Sequence, residues 1–127
     1  MKKIKITSLI ISSLILNSCL NLRSCPEEIS GKFVCKNNPS AENYLLLNKD
    51  GTFEHFYKED SITLKQNGTW KRSNDGYCKI ELSEWNSYNE NGADFEKFGN
   101  GLFWINGKYL DMTPDGNSRS SFEKSKK

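Results

Sequence analysis

The hairpin that decides the fold lies at residues 102–112, which read Leu102-Phe103-Trp104-Ile105-Asn106-Gly107-Lys108-Tyr109-Leu110-Asp111-Met112. Two short runs rich in aromatic and branched side chains flank the Asn106-Gly107 pair. An Asn-Gly pair between two such runs favours a two-residue type I′ turn, because both residues tolerate a positive φ. The stretch therefore predicts an antiparallel β-hairpin.

The same pattern of short apolar runs separated by turn residues continues along the rest of the chain. Within 52–58, Phe53, His55 and Tyr57 alternate with residues of the opposite face, which is the period of a strand with one buried side. Turn-forming residues occur at 48–51, 67–68, 73–76 and 114–116. Strands are predicted at 33–35, 44–47, 52–58, 62–65, 69–71, 78–82, 102–105, 108–112 and 121–123, whereas 85–92 is predicted to be the longest loop and 94–98 a strand or an irregular segment.

No segment shows a sustained helical period with caps, so the chain is predicted to be all-β. Short strands joined by tight turns are typical of sandwiches and barrels. Consecutive hairpins favour an up-and-down meander, and a meander of about eight strands hides its edges best by closing. We therefore expect a small antiparallel up-and-down barrel rather than a sandwich.

The N-terminus has the composition of an export signal. Three lysines precede an apolar run that ends at Leu16, and this run is shorter than the roughly 20 apolar residues that span a bilayer. The ending Leu16-Asn17-Ser18-Cys19 resembles the lipobox of bacterial lipoproteins. The resemblance implies cleavage before Cys19, acylation of Cys19 and attachment to a membrane of the bacterial cell envelope. We therefore divide the chain into a signal peptide at 1–18, a lipidated tether at 19–28 and a barrel domain at 29–127.

The charge of the exported part argues against nucleic acid as a partner. The full chain carries 18 Lys and Arg against 16 Asp and Glu, and the signal removes three lysines but no acidic residue. The remaining net charge is about −1, so no basic excess attracts a polyanion.

The residues after Cys19 bear on which face of the membrane the protein occupies. Lipoproteins of the Bacteroidetes type, which this chain resembles, use acidic residues at this place for surface export, and none is found in Leu20-Asn21-Leu22-Arg23. This favours the periplasmic face.

The cysteine count predicts one disulfide. With Cys19 acylated, Cys25, Cys35 and Cys78 remain, which allows one bridge and one thiol. We favour a Cys35–Cys78 bridge because both residues fall in strand-like segments, and Cys25–Cys78 is the alternative. No two cysteines have the close spacing of a zinc site, so no metal is expected.

A resemblance to bacterial lipocalin-like lipoproteins covers residues 29–82. Those proteins have a D-G-T-F hairpin followed by a G-x-W strand. The hairpin resembles Leu45-Leu46-Leu47-Asn48-Lys49-Asp50-Gly51-Thr52-Phe53, and the strand resembles Gly68-Thr69-Trp70-Lys71. Gly31-Lys32-Phe33 is similar to the G-x-W that opens a lipocalin barrel, with Phe33 in place of the tryptophan. The resemblance implies a lipocalin-like barrel and a small apolar ligand.

No residue pattern indicates catalysis or a cofactor. His55 is the only histidine, and an ordinary strand histidine is the favoured interpretation. A nucleophilic pair of His55 with Cys35 or Cys78 would need a thiol outside any bridge. The Asp-Gly pairs at 50–51 and 115–116 lack the ligand positions of a calcium loop and are better explained as turns. We expect neither an enzyme nor a protein that binds a cofactor.

Aromatic residues make up 12% of the chain and are the remaining candidates for function. Neighbours such as Phe103 and Trp104 point to opposite faces of a strand, so one of the two lies outside. Aromatic residues either fill the core of a small barrel or form an exposed patch that binds a lipid, a glycan or a protein. The contacts predicted for the second case are Trp85, Tyr88, Phe103 or Trp104, and Tyr109.

Together these patterns predict a membrane-anchored, non-enzymatic module that binds a small apolar ligand or assists an envelope protein. The alternative is a protein-binding inhibitor or immunity-type lipoprotein that resembles the membrane-bound lysozyme inhibitors, and a hydrolase comes last. An apolar cavity of roughly a few hundred Å³ would support ligand binding. A filled core with a protruding loop at 83–101 would support protein binding.

Overall fold

The computed structural model describes residues 25–88, 97–114 and 121–126, and these residues form eight β-strands and no helix. The predicted all-β class is therefore confirmed. The strands are β1 (Gly31–Cys35), β2 (Glu42–Leu47), β3 (Thr52–Glu59), β4 (Ile62–Arg72), β5 (Lys79–Asn86), β6 (Lys97–Asn106), β7 (Tyr109–Asp111) and β8 (Phe122–Lys124).

The strands form a closed barrel in which each one pairs antiparallel with its neighbours in sequence. The circle is completed between β1 and β8, where Phe33 lies opposite Lys124 and Cys35 opposite Phe122. Each of the eight described strands therefore has a partner on both sides, as closure requires. The predicted up-and-down meander and its closure are both confirmed.

The hairpin of β6 and β7 is confirmed, but its turn lies one residue later than predicted. Asn106 pairs with Tyr109 in the ladder, so the two loop residues are Gly107 and Lys108. Gly107 has a φ of 60°, whereas Lys108 is not among the residues with a positive φ. One positive φ, at a glycine in the first loop position, is typical of a type II′ turn rather than a type I′ turn.

β4 runs without interruption through Asn67 and Gly68, where the sequence predicts a turn. Gly68 lies opposite Phe53 in the ladder with β3. A Cβ atom at Gly68 would lie 2.6 Å from both Phe53 Cε1 and Ser83 Oγ. The glycine is therefore needed for close packing within a strand. The chain reverses instead between β3 and β4 at Asp60, which has a φ of 49°.

β5 extends to Asn86 and includes Trp85, which the sequence places in a loop. The pairing of β5 with β6 shifts in register between Leu82 and Trp85. Such an irregularity redirects the side chains that follow it, and Trp85 is buried. The remainder of the predicted loop at 89–92, and most of the predicted segment at 94–98, lie outside the described residues.

Inward-pointing side chains form the core of the barrel. On β3, the side chains of Phe53, His55 and Tyr57 are buried and those between them are more exposed, as the alternation predicts. Neighbouring strands contribute in the same way, because successive side chains of a strand point to opposite faces. The buried hydrophobic residues are Ile29, Phe33, Cys35, Leu45, Leu47, Phe53, Tyr57, Ile80, Leu82, Trp85, Tyr88, Phe103, Leu110 and Phe122.

The two ends of the barrel are covered differently. One end, which we call the disulfide end, carries the turns at 48–51, 73–78 and 107–108 and the segment 25–30. Ile29 of that segment is buried in the core, so the segment covers this end. The opposite end, which we call the loop end, carries the connections that follow β1, β3, β5 and β7.

Candidate functional site

A stack of three rings occupies the interior in the half nearer the loop end. His55 has no exposed surface and lies between Trp85 and Tyr88, with ring centroids 4.3 and 4.2 Å away and interplanar angles of 10° and 20°. Phe122 meets His55 edge-on, at 5.8 Å and 76°. Rings at these separations are in van der Waals contact, so no other molecule fits between them.

Two hydrogen bonds between side chains lie beside the stack. His55 Nε2 lies 3.1 Å from Asn43 Oδ1, and both residues are buried. The Tyr57 hydroxyl donates to the Glu59 carboxylate, and this bond lowers the pKa of Glu59. Buried polar groups need such partners to offset their loss of hydration. His55 is thus a strand residue that packs in the core.

The disulfide joins Cys25 to Cys78, whose Cα atoms are 5.4 Å apart. The favoured prediction of a Cys35–Cys78 bridge is therefore wrong, and the alternative is correct. Cys35 ends β1 at the loop end and is buried as a thiol, whereas Cys78 lies in the turn before β5 at the disulfide end. A bridge requires Cα atoms within roughly 7 Å, which residues at opposite ends of the barrel do not reach.

Arg72 holds the same N-terminal segment through hydrogen bonds. Its guanidinium donates to the carbonyl oxygens of Pro26 and Glu27. Arg72 is the last residue of β4, so these bonds and the disulfide attach the segment to the same β4–β5 connection. Residues 25–27 of the predicted tether are therefore fixed against the barrel.

The five predicted contact residues fall into two groups. Trp85, Tyr88 and Phe103 each expose at most 5% of their surface, so the prediction of an exposed patch is wrong for these three. They belong to the core because β5 changes register before Trp85 and because Phe103 points inward on β6. Trp104 and Tyr109 are half-buried and lie on the strands that meet at the 107–108 turn of the disulfide end.

A groove of about 710 Å³ opens at the disulfide end, lined by Pro26, Cys78, Ile105, Asn106, Gly107, Lys108 and Tyr109. Next to Cys78, the side chain of Tyr77 is 70% exposed. Lys79 Nζ lies 5.3 Å from the centre of the Tyr77 ring and 5.5 Å from that of Trp104. We call this groove, together with Tyr77 and Trp104, the aromatic rim.

A stacked aromatic pair lies on the outer surface of β2 and β3. Tyr44 and Phe56 are directly opposite in the ladder, with ring centroids 5.1 Å apart and an interplanar angle of 20°. Lys32 Nζ lies 4.2 Å from the centre of the Tyr44 ring, which is a cation–π distance. Val34 lies opposite Tyr44 on β1 and extends the apolar surface. We call these four residues the outer aromatic face.

Paired charges border the outer aromatic face. Lys65 Nζ lies 3.0 Å from Glu54 Oε2, and the Tyr44 hydroxyl donates to Glu54 Oε1 at 3.0 Å. The hydrogen bond from Lys65 lowers the pKa of Glu54, whereas burial and the bond to Glu54 raise the pKa of Tyr44. At neutral pH the carboxylate is thus ionised and the phenol is protonated, which keeps both bonds in place.

The outer aromatic face continues into a groove of about 440 Å³ between β1, β2 and their connection, with Val34, Pro39, Ala41 and Tyr44 among its lining. The alternation of the sequence places Tyr44 and Phe56 on outward positions of neighbouring strands. It does not show that the ladder sets the two rings directly opposite each other. This register is the reason why the predicted contacts omit the pair.

The described ranges show neither a metal-ligand cluster nor a candidate membrane span. Within residues 25–88, 97–114 and 121–126, no three His, Cys, Asp or Glu side chains come together in a way that could hold a metal ion. The same residues include no helix with the length and apolar character needed to cross a bilayer.

Comparison of the chain with protein-family models, with curated proteins and with solved structures finds no match. The resemblance to lipocalin-like lipoproteins therefore stays a prediction that depends on the motifs at 31–33, 45–53 and 68–71.

Proposed function

We propose that this chain is a lipid-anchored, non-enzymatic module of the bacterial cell envelope that binds a protein partner through its outer aromatic face. The observation that carries the proposal is a contrast in packing. Large side chains occupy the interior of the barrel, while a stacked aromatic pair lies on the outside with part of its surface exposed.

The filled interior argues against a small apolar ligand inside the barrel. Small-molecule sites are concave and hold volumes of roughly 300–1,000 Å³. The side chains of Phe53, Tyr57 and Phe103 are almost fully buried, and the ring stack around His55 closes the half toward the loop end. A ligand would have to displace these side chains, at the cost of their packing.

The composition of the outer aromatic face supports a protein as the partner. Antiparallel sheets that face water usually place polar residues outside. Here Tyr44, Phe56 and Val34 face outward on three adjacent strands, and the Glu54–Lys65 ion pair borders them. An apolar aromatic centre with a charged border is the usual composition of a protein–protein contact.

Burial of the one histidine supports a non-enzymatic role. A general base must come within hydrogen-bond reach of a substrate proton. His55 exposes none of its surface and lies between two rings. The inhibitor-like alternative would need a protruding loop at 83–101, and residues 89–96 of that loop lie outside the described residues.

Photo-crosslinking tests the proposed partner contact. Benzoylphenylalanine replaces Phe56 in one variant and Glu81 in the control, because Glu81 lies on β5 between the buried Ile80 and Leu82 and so points outward. In whole cells we expect a discrete protein adduct from position 56 and none from position 81. The same adducts from both positions, or none from position 56, would contradict the proposed contact.

Labelled palmitate tests the anchor separately. We expect incorporation into the wild-type chain and none into a Cys19→Ser variant. The fatty acids would be carried by a glycerol joined to the Cys19 sulfur through a thioether and by the amine that cleavage exposes, and a serine at position 19 offers no sulfur for the thioether. Failure of the wild-type chain to incorporate the label would refute the anchor and leave the crosslinking result to be judged by itself.

A further inference from the structure

We propose that the aromatic rim is a membrane-contacting surface, which rests on the headgroup layer of the leaflet that holds the anchor. The inference depends on the proposed acylation of Cys19 and extends it from attachment to orientation. It assigns a role to Tyr77 and Trp104, which the proposed partner contact does not use.

The path of the chain brings the rim to the membrane. Cys25 is bonded to Cys78, which lines the groove of the rim. Cys19 precedes Cys25 by six residues, and six residues span at most about 20 Å when fully extended. The disulfide end is thus held near the leaflet, whereas a tether that began at β1 would leave the barrel more freedom to turn.

The exposed side chains of the rim suit the membrane–water interface. Tyr77 is 70% exposed, and Trp104 is half-buried beside it. Tyrosine and tryptophan are enriched at the level of the headgroups, because their rings are apolar while their hydroxyl and indole groups form hydrogen bonds. Lysines fit the same layer, since an apolar stem can lie along the surface while the ammonium group stays in water.

Two lysines at the rim are already paired with carboxylates. Lys79 forms an ion pair with Asp75, and Lys108 forms one with Glu123 at 2.8 Å. Each lysine also lies near an aromatic ring, with Lys108 Nζ 5.3 Å from the centre of Tyr109. Because these cations are already neutralised, contact with lipid would depend on the aromatic and apolar groups.

The orientation that follows points the loop end away from the membrane. β3 has eight residues, which rise about 20 Å along the axis of a barrel whose strands are tilted. Ile62, which is 46% exposed, begins β4 at the loop end. It would therefore lie well beyond the reach of the headgroups, and the outer aromatic face would stand on the wall of the barrel, open to a partner.

Crosslinking to lipid tests this orientation. The acylated full chain is reconstituted into phosphatidylcholine vesicles with benzoylphenylalanine at position 77 or, as the matched exposed control, at position 62. We expect lipid adducts at position 77 to exceed those at position 62 by about tenfold, because a surface held at the headgroups keeps the opposite end away. Unchanged circular dichroism and an intact disulfide show that both variants fold.

Each outcome decides the proposal. Equal lipid adducts at the two positions, or none at position 77, would overturn it. Protein adducts at position 77 in whole cells, in place of lipid adducts, would also overturn it and make the rim a protein contact. Labelled palmitate in the same sample reports the anchor independently. If the label is absent, the chain is mixed with the same vesicles. More lipid adducts at position 77 than at position 62 would then still support the aromatic rim as a membrane-contacting surface, and equal adducts would refute it.

Discussion

Among the described residues, one aromatic stack lies inside the barrel and another lies on its outer surface, and the environments of the two differ sharply. His55 lies between Trp85 and Tyr88 with no exposed surface. Tyr44 and Phe56 stack at a similar angle, but on the outer surface of the sheet. The same kind of ring contact therefore serves stability where water is excluded and is available for recognition where water has access.

The largest effect is expected from the inner stack. Trp85→Ala should lower the free energy of unfolding by about 3–5 kcal/mol, because it removes a buried ring and leaves a cavity against His55 and Phe103. Phe56→Ala is the matched change in the outer stack and should cost about 1 kcal/mol or less. Guanidinium denaturation at pH 7 measures both losses. Equal losses would contradict the claim that the inner stack stabilises the fold more than the outer stack does.

An intermediate effect is expected from the polar contact of the inner stack. His55→Phe keeps a ring between Trp85 and Tyr88 but removes the bond to Asn43, and should cost about 1–2 kcal/mol. Combining it with Asn43→Leu should recover most of that loss, since both polar partners are then replaced together. Urea denaturation of the two variants measures the difference. A double variant less stable than His55→Phe would show that Asn43 stabilises the core through other contacts.

The smallest effect is expected at the border of the outer stack. Lys65 holds the pKa of Glu54 below its usual 4.5, so the pair stabilises the fold above the pKa of the unfolded state and loses this effect as the pH falls through the folded value. Glu54→Gln should lower stability by about 0.5 kcal/mol at pH 7 and by almost nothing at pH 3. Thermal unfolding at both values measures the difference. A loss of equal size at pH 3 would mean that the charge plays no part.

Period-two alternation made much of the fold predictable. It placed Phe53, His55 and Tyr57 on the buried face of β3, and the Asn-Gly pair located the hairpin of β6 and β7. Both signals are local, so a single sequence contains them. Closure could also be predicted, because a meander of about eight short strands hides its two edges best by closing.

The remaining features depend on distances across the barrel. Glycine is a common turn residue, and the sequence therefore predicts a turn at Gly68. In the barrel Gly68 lies within a strand, where Phe53 and Ser83 leave no room for a Cβ atom. The disulfide partner of Cys78 was mispredicted because the sequence does not say which cysteine shares its end of the barrel. The outer aromatic face was missed because it depends on the register between β2 and β3.

The Cys25–Cys78 bond also determines how the molecule would respond to a mechanical pull. β1 closes the barrel by pairing with the last strand, so tension at its N-terminal end would unzip that seam one hydrogen bond at a time. The bond lies ahead of β1 and transfers the tension to the start of β5, which is paired on both sides. A chain pulled by its N-terminus would then have to shear a paired strand before the barrel could open.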